Sequence, residues 1–316
     1  MQGKSKFAQS DLKGKIQIWL EEVRAPFFTA VLVPVLLASV MAWEDGYPVQ
    51  IGYFFLTLIA AIFMHAGTNV MNDYADHLNR CDEMNTEFQR PFTGGSRLIQ
   101  NGVLAPKEVL AGSLTFFALS TILGLALVAL KGMPIFWLGL AGTFCGIFYT
   151  LPPFNIVSRG FGEFIVGLCF GTLMMLGAYY VQAQSFSAAV VVASLPVMLL
   201  IAGVLYINEF PDFIADRDSG KRHLVVRLGR PKAVYGYLAI MLGTYLSIIV
   251  GVATSILTPW VLIALLTVPQ AVKAVKIAKL HHSESSQLVP ANAATVGIHL
   301  LTGLLMTAGY AVAAIF

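Results

Sequence analysis

Apolar residues run through this chain in long blocks separated by short polar stretches. Ile51 to Ala66 is one such block, and "NVMNDYADHLNRCD", Asn69 to Asp82, follows it almost at once. A bilayer core takes about 20 apolar residues per helix. Nine blocks fit that measure, at about 26–44, 51–71, 109–130, 133–151, 160–181, 186–207, 233–256, 259–278 and 294–315. Pro134, Pro152, Pro153, Pro231 and Pro259 punctuate the joints, as residues that break helices should. The pattern predicts an all-α polytopic membrane protein of nine transmembrane helices. Residues 1–25 form a cytoplasmic N-terminal segment, and residues 26–316 the transmembrane domain. Ile16, Trp19, Leu20 and Val23 fall at helical spacing among Lys13, Lys15, Glu21 and Glu22. That suits a short helix in the membrane surface or one packed on the bundle.

Composition agrees. Of 316 residues, 57% are hydrophobic and 12% charged, where a soluble domain carries about 25% charged residues. A water-soluble enzyme is excluded. Cys81, Cys145 and Cys169 show no metal-ligand spacing, so neither a disulfide framework nor a zinc site is expected. With the N-terminus in the cytoplasm, 19 of the 20 Lys and Arg fall in cytoplasmic segments or, for Lys273 and Lys276, in the cytoplasmic end of the eighth block, and only Lys131 lies elsewhere. Such a bias follows the positive-inside rule. It predicts a multi-pass protein of the cell inner (plasma) membrane with its C-terminus outside, in contact with membrane lipid. No nucleic-acid partner is expected.

The acids are far from evenly spread. Nine of the 17 Asp and Glu lie in two stretches: Asp73, Asp76, Asp82, Glu83 and Glu87, then Glu209, Asp212, Asp216 and Asp218. Each stretch begins where an even-numbered span reaches the cytoplasm. They open alike, "NDYAD" at 72–76 and "NEFPD" at 208–212, 136 residues and four spans apart. The offset suggests a four-plus-four helix repeat with one helix extra. If span two continues helically, Asn69, Asn72, Asp73 and Asp76 share a face, and so do Asn208, Asp212 and Asp216 in span six. Pro211 should leave the carbonyl of Ile207 without its helical donor.

Carboxylates on facing helices repel unless a cation joins them. Hard oxygen ligands suit Mg²⁺, which prefers a few carboxylates plus substrate phosphates to an all-protein cage. Bases follow both acidic stretches, in "RPFTGGSRLIQNG" and "DSGKRHLVVRLGR". Arg97, Lys221, Arg222 and Arg227 could hold phosphate oxygens, or serve only to orient the chain. Gly94 and Gly95 would let backbone N–H groups approach an anion.

These motifs resemble the UbiA superfamily of intramembrane prenyltransferases over nearly the whole chain. "RPFTGGSRLIQNG" and "RGFGEFIVGLCFG" look most like its menaquinone branch, the 1,4-dihydroxy-2-naphthoate polyprenyltransferases. The resemblance implies Mg²⁺-dependent transfer from a polyprenyl diphosphate to an aromatic acceptor. It implies metal-holding roles for Asp73, Asp76, Asp82, Asn208, Asp212 and Asp216. Asp73, Asp76, Asp212, Asp216 and Tyr149 would serve catalysis. Asn72, Asn208, Arg24, Arg97, Arg159, Lys221 and Arg222 would bind substrate. Arg80 and His223 depart from the family pattern. A hydroxybenzoate or another lipid-pathway acceptor is the alternative substrate. A cation-coupled transporter would also carry repeats and intramembrane acids, but its site usually lies near the midplane.

Overall fold

A computed structural model describes residue 7 and residues 11–316. The start of the N-terminal segment, residues 1–6 and 8–10, lies outside the described residues. Those described form helices and no strand. The elements are α1 (Leu12–Glu22), α2 (Ala25–Glu44), α3 (Ile51–Leu78), α4 (Cys81–Met84), α5 (Pro106–Lys131), α6 (Met133–Phe148), α7 (Gly162–Ala183), α8 (Ala188–Asp218), α9 (Leu224–Leu228), α10 (Arg230–Ala253), α11 (Pro259–His281) and α12 (Ser285–Ile315). Eight of these are long and apolar enough to cross a membrane. The remaining apolar helix, α6, has 16 residues, a rise of about 24 Å against a core of about 30 Å. The protein is thus a multi-span helical membrane protein, near the nine spans the pattern predicts.

Helix ends follow local chemistry. Asp11 caps α1, its Oδ1 accepting from the Gly14 N–H at 2.8 Å, and Pro occupies the first turn of α5, α6, α10 and α11, where its missing N–H costs nothing. The two acid-tipped helices run past their predicted ends at 71 and 207, to Leu78 and Asp218. In their last turns Asp76 and Asp216 are buried, because loops and short helices cover that side.

Both halves share one order: a span, an acid-tipped span, a short loop helix, then two apolar helices. α2 to α6 make the first half, α7 to α11 the second, and α12 is extra. α3 lies along α5 as α8 lies along α10, and α12 packs on α2 and α11. The main core holds Tyr179, Tyr206, Phe210, Tyr237 and Tyr310. Lipid offers no hydrogen bonds, so polar groups must pair internally. The Tyr206 hydroxyl accordingly donates to the Ala233 carbonyl at 3.0 Å, and those of Tyr237 and Thr295 pair at 2.6 Å. Lys131, the basic outlier, sits at the far end of the bundle from the acids, 3.9 Å from the centre of the Tyr53 ring.

On α1, Leu12, Ile16 and Leu20 are exposed along one face, while Trp19 packs on Phe7 and Phe116. The helix therefore both packs on the bundle and presents an apolar edge outward.

Candidate active site

The two acid-tipped helices meet at one cavity. Asn69, Asn72 and Asp76 of α3 line it, as do Asn208, Asp212 and Asp216 of α8. Asp82 reaches it from α4, and Tyr149 from the end of α6. The helical spacing read from the sequence therefore delivers the side chains it promised, with one exception. Asp73 turns to protein donors: Arg24 pairs with its Oδ1, and the Ser96 N–H donates to its Oδ2 at 2.8 Å. Arg24 itself lines the cavity, from a left-handed backbone turn at φ 55°.

Lys221 stands between the two motifs. Its Nζ lies 2.5 Å from Asp76 Oδ1 and 3.6 Å from Asp216 Oδ1. Burial alone would lower its pKa, but Asp76 and Asp216 hold it well above the usual lysine value. A cation thus already bridges carboxylates from facing helices. The Asp82 carboxylate accepts from Gln100 Nε2 at 3.3 Å. Burial, then the nearby Asp76 and Asp73, push its pKa up to about 8. Asp212 accepts from Asn85 Nδ2 at 2.6 Å and from the Gly94 N–H at 3.4 Å. The glycine pair serves close approach: Gly95 has φ +68°, and a Cβ there would lie 3.0 Å from Asp82 Oδ2. The donor set is oxygen-rich and anionic, with a wall too close for any side chain. It fits a hard divalent cation.

Three residues that the sequence did not single out support this arrangement. Glu163 opens α7, and its Oε1 accepts from the Leu224 N–H at 2.7 Å. With Glu209 and His223 it forms a buried group whose ligand-type atoms lie within 4.8 Å of one another. His223 joins Asp216 Oδ2 at 3.0 Å and Glu209 Oε2 at 3.2 Å. Burial would lower its pKa, but Glu209 and Asp216 raise it to about 10, so it stays charged at neutral pH. His223 was visible only as a departure from the family pattern; here it holds one oxygen of Asp216 in place. The second residue is Asn85, bonded to Asp212. The third is Asn292 of α12. Its Nδ2 donates to the Ile207 carbonyl at 3.1 Å and to Asn208 Oδ1 at 2.7 Å. The carbonyl that Pro211 strands thereby finds a donor, and the carbonyls of Phe210 and Pro211 accept from Arg230 at 2.8 and 3.4 Å.

Several predicted bases lie elsewhere. Arg222 is exposed and away from the cavity lining, and its carbonyl accepts from Arg227 Nε at 2.6 Å. Arg159 is also exposed, donating to the Phe154 and Pro153 carbonyls of its own loop at 2.5 and 3.1 Å. Arg97 clamps the first loop, donating to the Asp82 carbonyl at 2.8 Å and stacking over Phe88. None of the three lines the cavity in this structure.

Two acidic helix ends face one cavity that Arg24 and Lys221 also line, together with Phe170, Ile201 and Val204, an arrangement suited to a charged head group on a lipid tail. The chain is a member of the UbiA prenyltransferase family, which it matches over residues 31–296. It is 28% identical to a 2-carboxy-1,4-naphthoquinone phytyltransferase of Synechocystis over 97% of both chains. It is 27% identical to a 1,4-dihydroxy-2-naphthoate octaprenyltransferase of Bacillus subtilis, over 82% of this chain and 81% of that one. The Mycobacterium leprae protein of the same name is 31% identical over 70% of this chain and 72% of its own. Two solved structures share the fold: a UbiA homolog from Aeropyrum pernix, TM-score 0.67 at 18% identity over 92% of this chain and 98% of that one, and one from Archaeoglobus fulgidus bound to DMAPP and Mg²⁺, TM-score 0.60 at 14% identity over 94% and 99%. The protein is an intramembrane prenyltransferase.

Proposed function

We propose that the protein transfers a polyprenyl group from its diphosphate to 1,4-dihydroxy-2-naphthoate, with Mg²⁺ as cofactor. The observation that carries the reading is the convergence of Asp76, Asp82, Asp212 and Asp216 on one cavity that apolar side chains such as Phe170, Ile201, Val204 and Leu205 also line. A charged head and a lipid tail need that pairing. Asp76, Asp82, Asn208, Asp212 and Asp216 would hold the metal. An ion held there would supply positive charge to the diphosphate oxygens as the bond to the allylic carbon breaks. Lys221 and Arg24 donate to the same oxygens from the cavity rim. Asp73 positions Arg24, and His223 positions Asp216. Phe170, Ile201 and Val204 line the wall and keep water from the cation-like prenyl carbon. The acceptor ring attacks that carbon. The new C–C bond forms where the ring bore its carboxyl, carbon dioxide leaves with its bonding pair returned to the ring, and diphosphate departs. The similarity to naphthoate prenyltransferases supports this choice of acceptor. The basic bias supports an orientation with the acids at the cytoplasmic face of the inner membrane and the C-terminus outside.

The test is direct. Purified protein is incubated with a labelled polyprenyl diphosphate, with dihydroxynaphthoate or hydroxybenzoate, and with Mg²⁺ or a chelator. A decarboxylated prenyl-naphthalene product that disappears with chelation supports the reading. Prenyl-hydroxybenzoate alone would replace the acceptor, and equal turnover in chelator would remove the metal.

A further inference from the structure

Below the carboxylates the same cavity holds two histidines. His65 of α3 and His299 of α12 line its deeper part with Phe170, Ile201 and Val296. His65 precedes Asp73 by two helical turns, about 12 Å of rise, and His299 follows Asn292 by about 10 Å. The two helices run in opposite directions, so both histidines fall in one layer beneath the acids. Both are buried, His65 at 7% exposure and His299 at 2%. Neither has its full complement of partners: Nδ1 of His65 and Nε2 of His299 have no hydrogen bond. The His65 ring is held from two sides, by Phe170 at 4.6 Å and Phe28 at 5.4 Å between ring centroids. Phe170 belongs to a single π-helical stretch, Leu168–Leu173, inside α7, a local widening often found at functional sites.

We propose that His65 and His299 bind the ring hydroxyls of the aromatic acceptor and set its orientation beneath the prenyl diphosphate; the proposal rests on the prenyl-transfer reading above. Buried polar groups are nearly always paired. Two incompletely paired imidazoles facing one cavity therefore call for a ligand with hydrogen-bonding groups at that depth. A polyisoprene tail has none. A hydroxylated bicyclic ring has two, together with a face that stacks on Phe170 and the His65 ring. An imidazole can accept from such a hydroxyl or donate to it. Where it accepts, it leaves more electron density on the ring, which the attack on the prenyl carbon requires. A site built to bond hydroxyls also rejects rings that lack them, since its own polar groups are then left unpaired.

The test uses the full chain in detergent. His65→Leu, His299→Leu and the corresponding Gln variants are titrated with 1,4-dihydroxy-2-naphthoate by fluorescence, without prenyl diphosphate, and then assayed for turnover. Each Leu variant is expected to raise the acceptor Kd and KM about tenfold, one hydrogen bond's worth, while KM for prenyl diphosphate stays within twofold. The dimethyl ether of the acceptor should bind wild type as weakly as the Leu variants bind the parent compound, and should be indifferent to the substitutions. If a Leu variant does not fold, its Gln counterpart decides by the same criteria. Active wild type with unchanged acceptor Kd in folded variants of both positions overturns this inference and leaves the prenyl-transfer reading intact. So does an equal loss of diphosphate affinity, which marks a general distortion or a tail-binding site. Wild type that prenylates neither naphthoate nor hydroxybenzoate overturns both.

Discussion

Asn292 offers a sharp test of how α8 survives its own proline. Pro211 has no N–H, so the Ile207 carbonyl four residues back loses its helical donor. Asn292, fully buried, supplies one at 3.1 Å and also holds Asn208 Oδ1 at 2.7 Å. Asn292→Leu keeps the volume roughly constant and removes both bonds. The buried Ile207 carbonyl left unpaired costs about 1–3 kcal/mol, and the half-buried Asn208 Oδ1, which faces the cavity, about 0.5–1.5 kcal/mol, so the gross loss is about 1.5–4.5 kcal/mol. The Asn292 Oδ1 has no partner of its own, and removing it returns about 1–3 kcal/mol. A net destabilisation of about 0.5–1.5 kcal/mol is expected. Pro211→Ala restores an N–H to the Ile207 carbonyl, so in the Asn292→Leu background it should recover about 1 kcal/mol more than it does in wild type. The assay is a double-mutant cycle by reversible unfolding in detergent, with thermal midpoints as a check. Additivity within about 0.5 kcal/mol would show that Asn292 does not compensate for Pro211, and the account of α8 would fall.

Asp76→Asn and Asp212→Asn should each lower turnover on the order of 10³-fold with normal insertion, and near-normal turnover in both would end the metal-site proposal. Lys221→Ala should raise KM for the diphosphate, whereas Arg222→Ala should leave it within about twofold, because a single exposed base contributes little; steady-state kinetics separate the two. Cys81 is a poor topology probe, because it is buried with its Sγ 3.0 Å from Asp216 Oδ1 and burial raises its pKa. Ser283→Cys in the exposed α11–α12 turn should instead be labelled by an impermeant thiol reagent only from the cytoplasmic side, and labelling of intact cells from outside would reject the orientation. Burial, then Asp73, raises the Glu22 pKa from 4.5 to about 8. A raised carboxylate favours the folded state fully only below its unfolded pKa, and that contribution is lost as pH rises toward about 8. Glu22→Gln should therefore shrink the fall in thermal midpoint between pH 5 and pH 9, measured without metal; an unchanged slope counts against the assignment.

The spans and the two acidic faces were legible because both are periodic. Apolar length marks a helix whatever it packs against, and the spacing from Asn208 to Asp216 puts three side chains on one face wherever α8 lies. Loop bases were not legible in that way. Arg97, Arg159 and Arg222 follow the acids in sequence, but a loop residue points where its own turn directs it. The positive-inside rule explains a cytoplasmic base whether or not it meets substrate. Asp73 illustrates a finer limit. It shares the helical face of Asp76, yet it sits nearer the edge, where Arg24 and Ser96 claim it. Asn85, Glu163 and Asn292 act across helices distant in sequence, so no local pattern could announce them. The stranded Ile207 carbonyl was the one predictive sign: it required a donor without saying which helix would bring it.

The repeat also acquires a physical meaning from the first loop. Asn85 and Gly94 belong to the first half, yet both donate to Asp212 of the second. Glu87 of the same loop accepts from Arg230 Nη2 at 2.6 Å and from Ser285 Oγ at 3.1 Å, which ties it to the starts of α10 and α12. At its other edge Arg90 pairs with Glu21 of α1, and Ser96 Oγ donates to Glu22 Oε2 at 2.5 Å. Lys221 returns the connection from the second half, reaching Asp76 of the first. Each acidic motif is therefore completed by donors from the other half. A four-helix unit alone would leave its carboxylates buried without those partners, and an uncompensated buried charge costs several kcal/mol. The site belongs to the seam between the repeats, so its two carboxylate groups are held in register by the same bonds that join the halves.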